Sequence, residues 1–372
     1  MALTWAGIGE RVRMARAGAR RTQDEVAAVL EVDRFSVGRM ESGQRKVSAL
    51  ELARLAEFFE VPMGYFLGEE APAVVSRRTA LSEEADEAAR MAWRLDVDLE
   101  AHAADVRLLA QEGFLGAPAL LLPAAVTCPA DLAAAESYAA TVRGLMGQSS
   151  GPLGPLTEVC ERWGLYLLVV DRDADGASTL IEEFPGVGAA VIGGQAPPGR
   201  RRATAAHELG HHLLGDAYSS DVGVSIMRSD RERLIDAFAC ALLLPGADVA
   251  GHWAKADPTE SDWQWRTLVR VAGSYRVSWS VAVQRARDLG LLDSAEARML
   301  VAHRPVFGDF LAQLGAPPEE DLTLGDTGPN WRRAVLAAYS DSLITGKRAI
   351  ELLHGAITRL DELPSIPEDD TP

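Results

Sequence analysis

Apolar residues recur at helical spacing through most of this chain, and polar capping residues mark where the predicted helices begin. In the first 68 residues, Ile8, Val12 and Ala15 define one apolar helix face. Two capping boxes follow, Thr22-Gln-Asp-Glu25 and Ser48-Ala-Leu-Glu51, and each opens a further helical run. The spacing predicts five short helices in this region, with a tight turn between the second and the third.

Further along the chain, long helical patterns alternate with two short apolar segments. Helices are predicted from Ser82 to about Leu109 and from Asp131 to Met146. The segments Leu165–Val170 and Gly188–Gly193 are predicted to be buried strands. The predicted fold class is therefore mainly α, with a small α+β region around the two strands.

One segment after the second strand fits the pattern H-E-x-x-H, which lets a single turn of helix bind zinc. A helix repeats every 3.6 residues, so His207 and His211 project from one face and can reach a shared metal ion. Glu208 stands beside them as the predicted general base. The adjacent His212 faces about 100° away and is predicted to lie at the surface or rim. The run Arg200-Arg201-Arg202 is predicted to lie outside the apolar face of this helix.

A catalytic zinc site usually has a third protein ligand, and the next predicted helix, residues 230–245, offers two carboxylates. Glu232 and Asp236 lie at i and i+4 near its polar start, hence on one face. One carboxylate could complete a His2Glu set, while the other holds a ligand imidazole through its free N–H. The residues by themselves leave both assignments open, and they leave open a solvated first turn as well.

Residues near 131–250 resemble the ImmA/IrrE family of metallo-endopeptidases, whose zinc sites are of the gluzincin-like type. The resemblance rests on the run from Arg202 to His211 and on Glu232-x-x-x-Asp236-x-Phe238-Ala239, with Leu242-Leu243-x-Pro245 after it. It implies a zincin-like domain in which one Zn²⁺ per chain, with Mn²⁺ as the alternative metal, is bound by three side chains. By the resemblance, the metal ligands are His207, His211 and Glu232, the catalytic base is Glu208, and the residue that holds a ligand imidazole is Asp236.

The chain departs from this family at several positions near the motif. Asp236 stands where the family usually has Asn, and Gly215 and Ala203 stand where it often has His and Phe. These changes remove neither a ligand nor the base, so they bear on substrate choice more than on chemistry. For the group that stabilises the oxyanion, Tyr218 and His252 are candidates only.

The five predicted helices of residues 5–68 resemble the Cro/C1 (XRE) type of helix-turn-helix. The resemblance includes Gln23, the segment Arg39-Met-Glu41-Ser-Gly43 and the segment from Val61 to Gly68. It implies that the third helix enters the major groove of double-stranded DNA. A helical protein-interaction module is the alternative interpretation. By the resemblance, the residues that face the groove are Arg34, Ser36 and Arg39, and those that reach phosphates are Gln23, Arg45 and Lys46.

Charge is distributed unevenly along the chain. Residues 1–68 carry ten Lys/Arg and nine Asp/Glu, a net charge of +1, and the remaining 304 residues carry 27 and 45, a net charge of −18, which together give −17. Most of the protein therefore repels DNA, and only a small basic face can attract it. We expect specific, salt-sensitive binding of a homodimer to a DNA operator.

The motifs and composition predict five consecutive regions in 372 residues, with 48% hydrophobic content to form their cores. The three cysteines, Cys128, Cys160 and Cys240, lack paired spacing, and the chain shows no signal peptide or 18-residue apolar run. We therefore expect a cytoplasmic protein that does not enter a membrane. The regions are a helix-turn-helix domain (1–68), a helical connector (69–130), a zinc peptidase domain (131–250), a C-terminal helical region (251–363) and a disordered acidic tail (364–372).

The C-terminal region resembles the helix-turn-helix-like module that follows the peptidase in the ImmA/IrrE family, over residues 265–292. Trp279 and Val283 are predicted core residues there. Arg285 and Arg287 are predicted to form a second basic face or to be solvated.

Both resemblances together imply a DNA-binding transcriptional regulator with a zinc-dependent endopeptidase domain. The expected substrate is a repressor protein, cleaved in response to stress or to a mobile-element signal. The alternative is a regulator whose peptidase-like domain senses a ligand or partner and cleaves nothing. Glu208 favours the protease, because a sensor needs the metal ligands but not the base.

Overall fold

The structure is a computed structural model of the chain, and it describes residues 4–67, 76–78, 85–123, 129–214 and 225–365. Several sequence predictions lie outside these residues: those for Cys128, Gly215 and Tyr218, and most of the acidic tail. The described part is mainly helical and contains one small sheet, which confirms the predicted fold class.

The N-terminal region folds as the capping boxes predict. Its elements are α1 (Trp5–Gly18), α2 (Gln23–Leu30), α3 (Arg34–Glu41), α4 (Ala49–Phe59) and a 3₁₀ helix (Met63–Leu67). The hydroxyls of Thr22 and Ser48 each accept a hydrogen bond from the backbone N–H of the third helical residue, Glu25 or Glu51. The carboxylate of that glutamate in turn accepts a hydrogen bond from the backbone N–H of the capping residue. Val12, Val37 and Leu55 are fully buried between the helices and form the centre of this core.

The sheet contains four strands: β1 (Ser76–Arg78), β2 (Leu165–Val170), β3 (Gly176–Leu180) and β4 (Gly188–Gly193). Their order is β1-β3-β4-β2; β2 and β4 are parallel, and the other neighbours are antiparallel. The predicted strands β2 and β4 are confirmed residue for residue. Two strands were not predicted: β1 lies in the predicted helical connector, and β3 has a Gly-Ala-Ser-Thr-Leu sequence that lacks a clear alternation.

Helices cover both faces of this sheet, which explains the continuous apolar character of β2. Leu165, Leu167 and Val169 face one core, whereas Tyr166 and Leu168 face a second core. The first core includes residues of α6 (Leu132–Leu145), α7 (Leu156–Arg162), α8 (Pro198–Leu214), α9 (Ser225–Leu243) and α10 (Gly246–Ala254), and of α11 (Trp263–Tyr275), α12 (Trp279–Asp288) and α13 (Ser294–Ala302). The second core includes α5 (Ala85–Gln111), α15 (Pro329–Ser340) and α16 (Gly346–Leu352), while α14 (Phe307–Leu314) packs on α11.

Three basic side chains that the sequence analysis placed at or near the surface are buried. Arg202 is 1% exposed and pairs with the buried Asp321, so it does not lie outside the packed face of α8. Arg285 donates to the carbonyl of Leu244 just beyond α9, and it is neither solvated nor part of a basic face. A helix end leaves carbonyl groups without partners, and a long guanidinium can satisfy them inside the protein.

The third of these side chains is His212, which was predicted to lie at the surface or rim. It is buried, and its Nε2 atom lies 2.8 Å from the carbonyl oxygen of Trp163. Burial lowers the pKa of His212, so the ring is held neutral as a hydrogen-bond donor.

Within the described residues, we find no single helix long and apolar enough to cross a membrane. One bent pair of helical segments, Asp230–Leu243 and Gly246–Ala254, reaches that length and composition only when the two are taken together.

Candidate metal centre and DNA-reading helix

The predicted metal-binding motif lies on α8, which packs between the sheet and α9. Gly210 allows this approach, because a Cβ atom there would lie 2.9 Å from side-chain carbons of both Ile235 and Phe238. Such a distance is too short for a real Cβ contact, so any larger residue would push the two helices apart. The small residue inside the motif therefore brings α9 close enough to contribute a third donor.

The two helices bring together the three predicted ligands. The Nε2 atoms of His207 and His211 lie 3.1 Å apart. Oε2 of Glu232 lies 3.2 Å from Nε2 of His207 and 3.6 Å from Nε2 of His211. Zinc bonds of about 2.0–2.1 Å in a tetrahedron place donor atoms about 3.3 Å apart. The three observed distances bracket that value, so these residues fit a metal ion held by two imidazoles and one carboxylate.

Electrostatics at the three donors also favour a positive charge. Burial would lower the pKa of His207, but hydrogen bonds to Asp236 and Glu232 raise it to about 9. Burial would likewise raise the pKa of Glu232, but hydrogen bonds with His207 and His211 hold it well below its ordinary value. In the part of the chain that the structure describes, no other group of three such side chains brings its donor atoms within 4.8 Å.

Asp236 lies beside the imidazole of His207, on the side of the ring away from the other two donors. Its Oδ1 atom is 2.9 Å from Nδ1 of His207. A carboxylate there fixes the hydrogen on Nδ1 and leaves the lone pair of Nε2 directed toward the metal position. The role of Asp236 stays a prediction, which this contact with His207 supports.

Glu208, the predicted base, is completely buried and has two different oxygen environments. Ser178 Oγ donates a hydrogen bond of 2.6 Å to its Oε2 atom. Its Oε1 atom is buried, and no group among the described residues gives it a hydrogen bond. One oxygen is thus fixed in position, and the other retains its capacity to accept a proton from a water molecule.

Ser178 is a site residue that the sequence analysis missed. It lies on β3, 30 positions before Glu208, in a strand of small residues that carries no recognisable motif. Only the pairing of β3 beside α8 brings the hydroxyl to the base. His252, the oxyanion candidate that lies within the described residues, is on α10 with its ring 6.0 Å from that of Tyr275.

The side chains predicted to contact DNA lie on and around α3. Arg34 is exposed at its start, and Arg39 extends along the helix toward Ser36. Ser36 does not face outward as predicted: it is 7% exposed, and its hydroxyl donates to the N-capping residue Asp33. The exposed residue is its neighbour Phe35, which is 84% exposed and was missed. Apolar side chains at such positions can contact thymine methyl groups.

The predicted phosphate-contacting residues surround this helix in different settings. Gln23 donates to the buried Glu41, which also binds Arg16 and so ties α1, α2 and α3 together. Arg45 pairs with Glu51 at the start of α4, whereas Lys46 is exposed. Gln23 lines one concave surface with Phe35 and Arg39, and the backbone N–H of Arg45 donates to the carbonyl of Arg39 in α3.

Comparison with known families agrees with both parts of the chain. Residues 8–64 match the family model of a helix-turn-helix domain, and residues 190–287 match that of the IrrE N-terminal-like domain, a metallopeptidase family. We found no match among curated proteins. The chain thus joins a DNA-binding domain to a metallopeptidase-like domain, as expected of a regulator. The predicted combination of an XRE-like helix-turn-helix with an ImmA/IrrE-like domain is confirmed.

Proposed function

We propose that this regulator is a zinc-dependent endopeptidase that cleaves a repressor protein in response to stress or a mobile-element signal. The observation that carries the proposal is the pair of oxygen environments at Glu208. A carboxylate with one anchored oxygen and one unpartnered buried oxygen is arranged to accept a proton. A non-cleaving sensor would need His207, His211 and Glu232 but would not need this arrangement.

In this proposal, each site residue has a distinct task. His207, His211 and Glu232 would hold zinc, which when bound supplies polarisation of the scissile carbonyl and of the attacking water. Glu208 accepts the proton of that water at Oε1 and passes it to the leaving amine. Ser178 keeps Oε2 from rotating away, and Asp236 keeps the His207 ring in one orientation.

The DNA-binding domain would direct the enzyme to its target. We propose that Phe35, Arg34 and Arg39 contact base edges, and that Gln23, Arg45 and Lys46 contact phosphates. A homodimer on a two-fold symmetric operator would place two peptidase-like domains beside any repressor bound nearby. Binding to the operator would then raise the local concentration of the peptidase-like domains near that repressor, and so raise the rate of its cleavage.

The first test compares the full chain with Glu208→Gln in metal content and in cleavage of repressors encoded beside the gene. We expect equal metal and a loss of cleavage of about 10²–10⁴-fold, because general-base catalysis contributes on that scale. The matched control is Glu158→Gln, which changes an exposed glutamate on α7 and should cleave like the unchanged chain.

Three other results would contradict the proposal in different ways. Bound metal without cleavage by either protein, with operator binding intact, would favour the sensor. Absence of metal from the unchanged chain would exclude the site itself. Equal cleavage by both proteins would show that Glu208 is not the base.

A further inference from the structure

A cleft separate from the candidate metal centre lies on the opposite side of the sheet, and none of the metal-site residues line it. Its volume is about 860 Å³, within the range of about 300–1,000 Å³ typical of small-molecule sites. Its walls come from the 3₁₀ helix that ends the DNA-binding domain, from α5, from the end of β2, and from α16. A molecule bound there would touch both the DNA-binding domain and the sheet.

His102 on α5 marks the inner wall of this cleft. It is 2% exposed, and its Nε2 atom lies 3.0 Å from the carbonyl oxygen of Tyr166 on β2. A carbonyl only accepts, so Nε2 carries the hydrogen and Nδ1 carries a lone pair. None of the described residues gives Nδ1 a hydrogen bond. An acceptor buried without a donor is costly, and a ligand with an N–H or O–H group would satisfy it.

The charged side chains around the cleft indicate the sign of the charge that such a ligand carries. Five carboxylates line it, against two guanidinium groups, and Arg11 pairs with one of the five, Glu100, so the formal charge is −2 when the histidines are neutral. Burial lowers the pKa of His102 to about 3 and that of His354 to about 4, which keeps both neutral. Asp105 has a pKa raised by burial to about 6, even though Arg348 pairs with it. Asp105 and Glu351 share the single guanidinium of Arg348, so the carboxylates of the cleft still outnumber the guanidinium groups that pair with them.

The remaining walls are apolar. Val97, Ala101 and Ala104 lie along the inward side of α5, and Leu168 and Leu352 face them from β2 and α16. These side chains offer contact to a hydrocarbon or aromatic body. Apolar walls with a few polar groups are the usual composition of a site for a small organic molecule.

We infer that this cleft binds a small organic ammonium ion with an apolar body, which donates an N–H to His102 Nδ1 and is attracted by the surrounding carboxylates. Two kinds of ligand fit less well. An anion would meet the carboxylates, and a hydrocarbon would leave the buried acceptor unsatisfied. The inference stands apart from the proposed peptidase activity, because it concerns other residues and is tested by direct binding.

The test measures binding of three probes to the full chain by calorimetry at fixed ionic strength. Phenethylamine is the cation, 2-phenylethanol is its neutral analogue with a donor, and phenylacetate is the anion of similar shape. We expect the amine to bind at least tenfold more tightly than the alcohol, and the acid to bind most weakly. If the amine binds no more tightly than the alcohol, or if no probe binds, the inference is wrong.

Two variants locate the binding. His102→Gln places an amide N–H where Nε2 was, so it can keep the bond to Tyr166 while it replaces the ring acceptor Nδ1 by a carbonyl oxygen in a different position. Glu351→Gln removes one carboxylate at the exposed rim of the cleft, where folding is not at risk. Each should weaken amine binding at least fivefold. Glu112→Gln, on an exposed residue just after α5, is the matched control and should bind as the unchanged chain does. Unchanged binding in both cleft variants would overturn the assignment.

Discussion

The candidate metal centre and α3, the candidate DNA-reading helix, place their predicted functional side chains in opposite settings. At the metal centre, donors and supporting groups come from α8, α9 and β3, and most of them are buried. At α3, the reading residues come from two turns of one short helix and are exposed. The first site depends on the packing of distant segments, and the second depends on how one helix is rotated.

This difference predicts how amino-acid substitutions affect each site. Substitution of a supporting residue at the metal centre should act through another side chain, because Asp236 and Ser178 touch ligand and base but do not form the proposed metal site. Substitution on α3 should directly weaken the binding of DNA and leave the rest of the protein unchanged. The following predictions test that contrast, from the largest expected effect to the smallest.

Replacement of Asp236 by Ala should weaken zinc affinity by about 10- to 100-fold, the usual cost of losing a group that orients a ligand imidazole. Asp236→Asn should retain most of the affinity, because an amide oxygen can accept the same hydrogen bond from Nδ1 of His207. Zinc affinity can be measured by competition with a chelator, with the exposed Asp230→Asn on the same helix as control. Equal losses in Asn and Ala variants would show that charge, and not orientation, is what Asp236 supplies.

Replacement of Phe35 by Ala should weaken operator binding by about 5- to 30-fold, because a base contact contributes about 1–2 kcal/mol. Metal content and cleavage in solution should not change. Fluorescence anisotropy with operator DNA measures the effect, and Leu50→Ala on α4 is the control, since Leu50 is also an exposed apolar residue. An equal loss with Leu50→Ala would mean that Phe35 has no special position at the groove.

Replacement of Ser178 by Ala should slow cleavage by about 3- to 10-fold, which corresponds to the loss of one hydrogen bond of about 0.5–1.5 kcal/mol. Zinc affinity should stay the same, because Ser178 touches the base and none of the three donors. Steady-state cleavage and metal content measured on the same preparation separate the two effects. A loss of metal would place Ser178 in the support of the ligands and contradict the role proposed for it.

Much of the metal centre could be predicted from the sequence because its donors follow local rules. The spacing of His207 and His211 is a property of one helix, and Glu232 and Asp236 share a face of the next helix. The resemblance to a family then separated the two carboxylates. Their observed positions agree with that assignment, since Glu232 lies beside both Nε2 atoms and Asp236 lies beside Nδ1 of His207.

The missed residues have physical reasons of their own. Ser178 depends on the pairing of β3 with β4, a long-range contact that leaves no local pattern in five small residues. Arg202 and His212 were expected at the surface because both lie off the helix face that carries the motif, but each has a buried partner far away in the chain. Ser36 and Phe35 are one position apart, and a rotation of about 100° on the helix separates the interior from the surface.

The strands β2 and β4 separate the metal centre from the cleft on the opposite side of the sheet, and this gives residue numbers a simple meaning. On β2, odd-numbered side chains such as Leu167 pack on the metal side, and even-numbered ones such as Leu168 pack on the cleft side. Because Leu165 pairs with Gly188, the rule is inverted on β4, where Ala190 belongs to the metal side and Ala189 to the other. Apart from Val169, which also lines the cleft, the parity of a residue number tells which compartment a substitution in either strand will disturb.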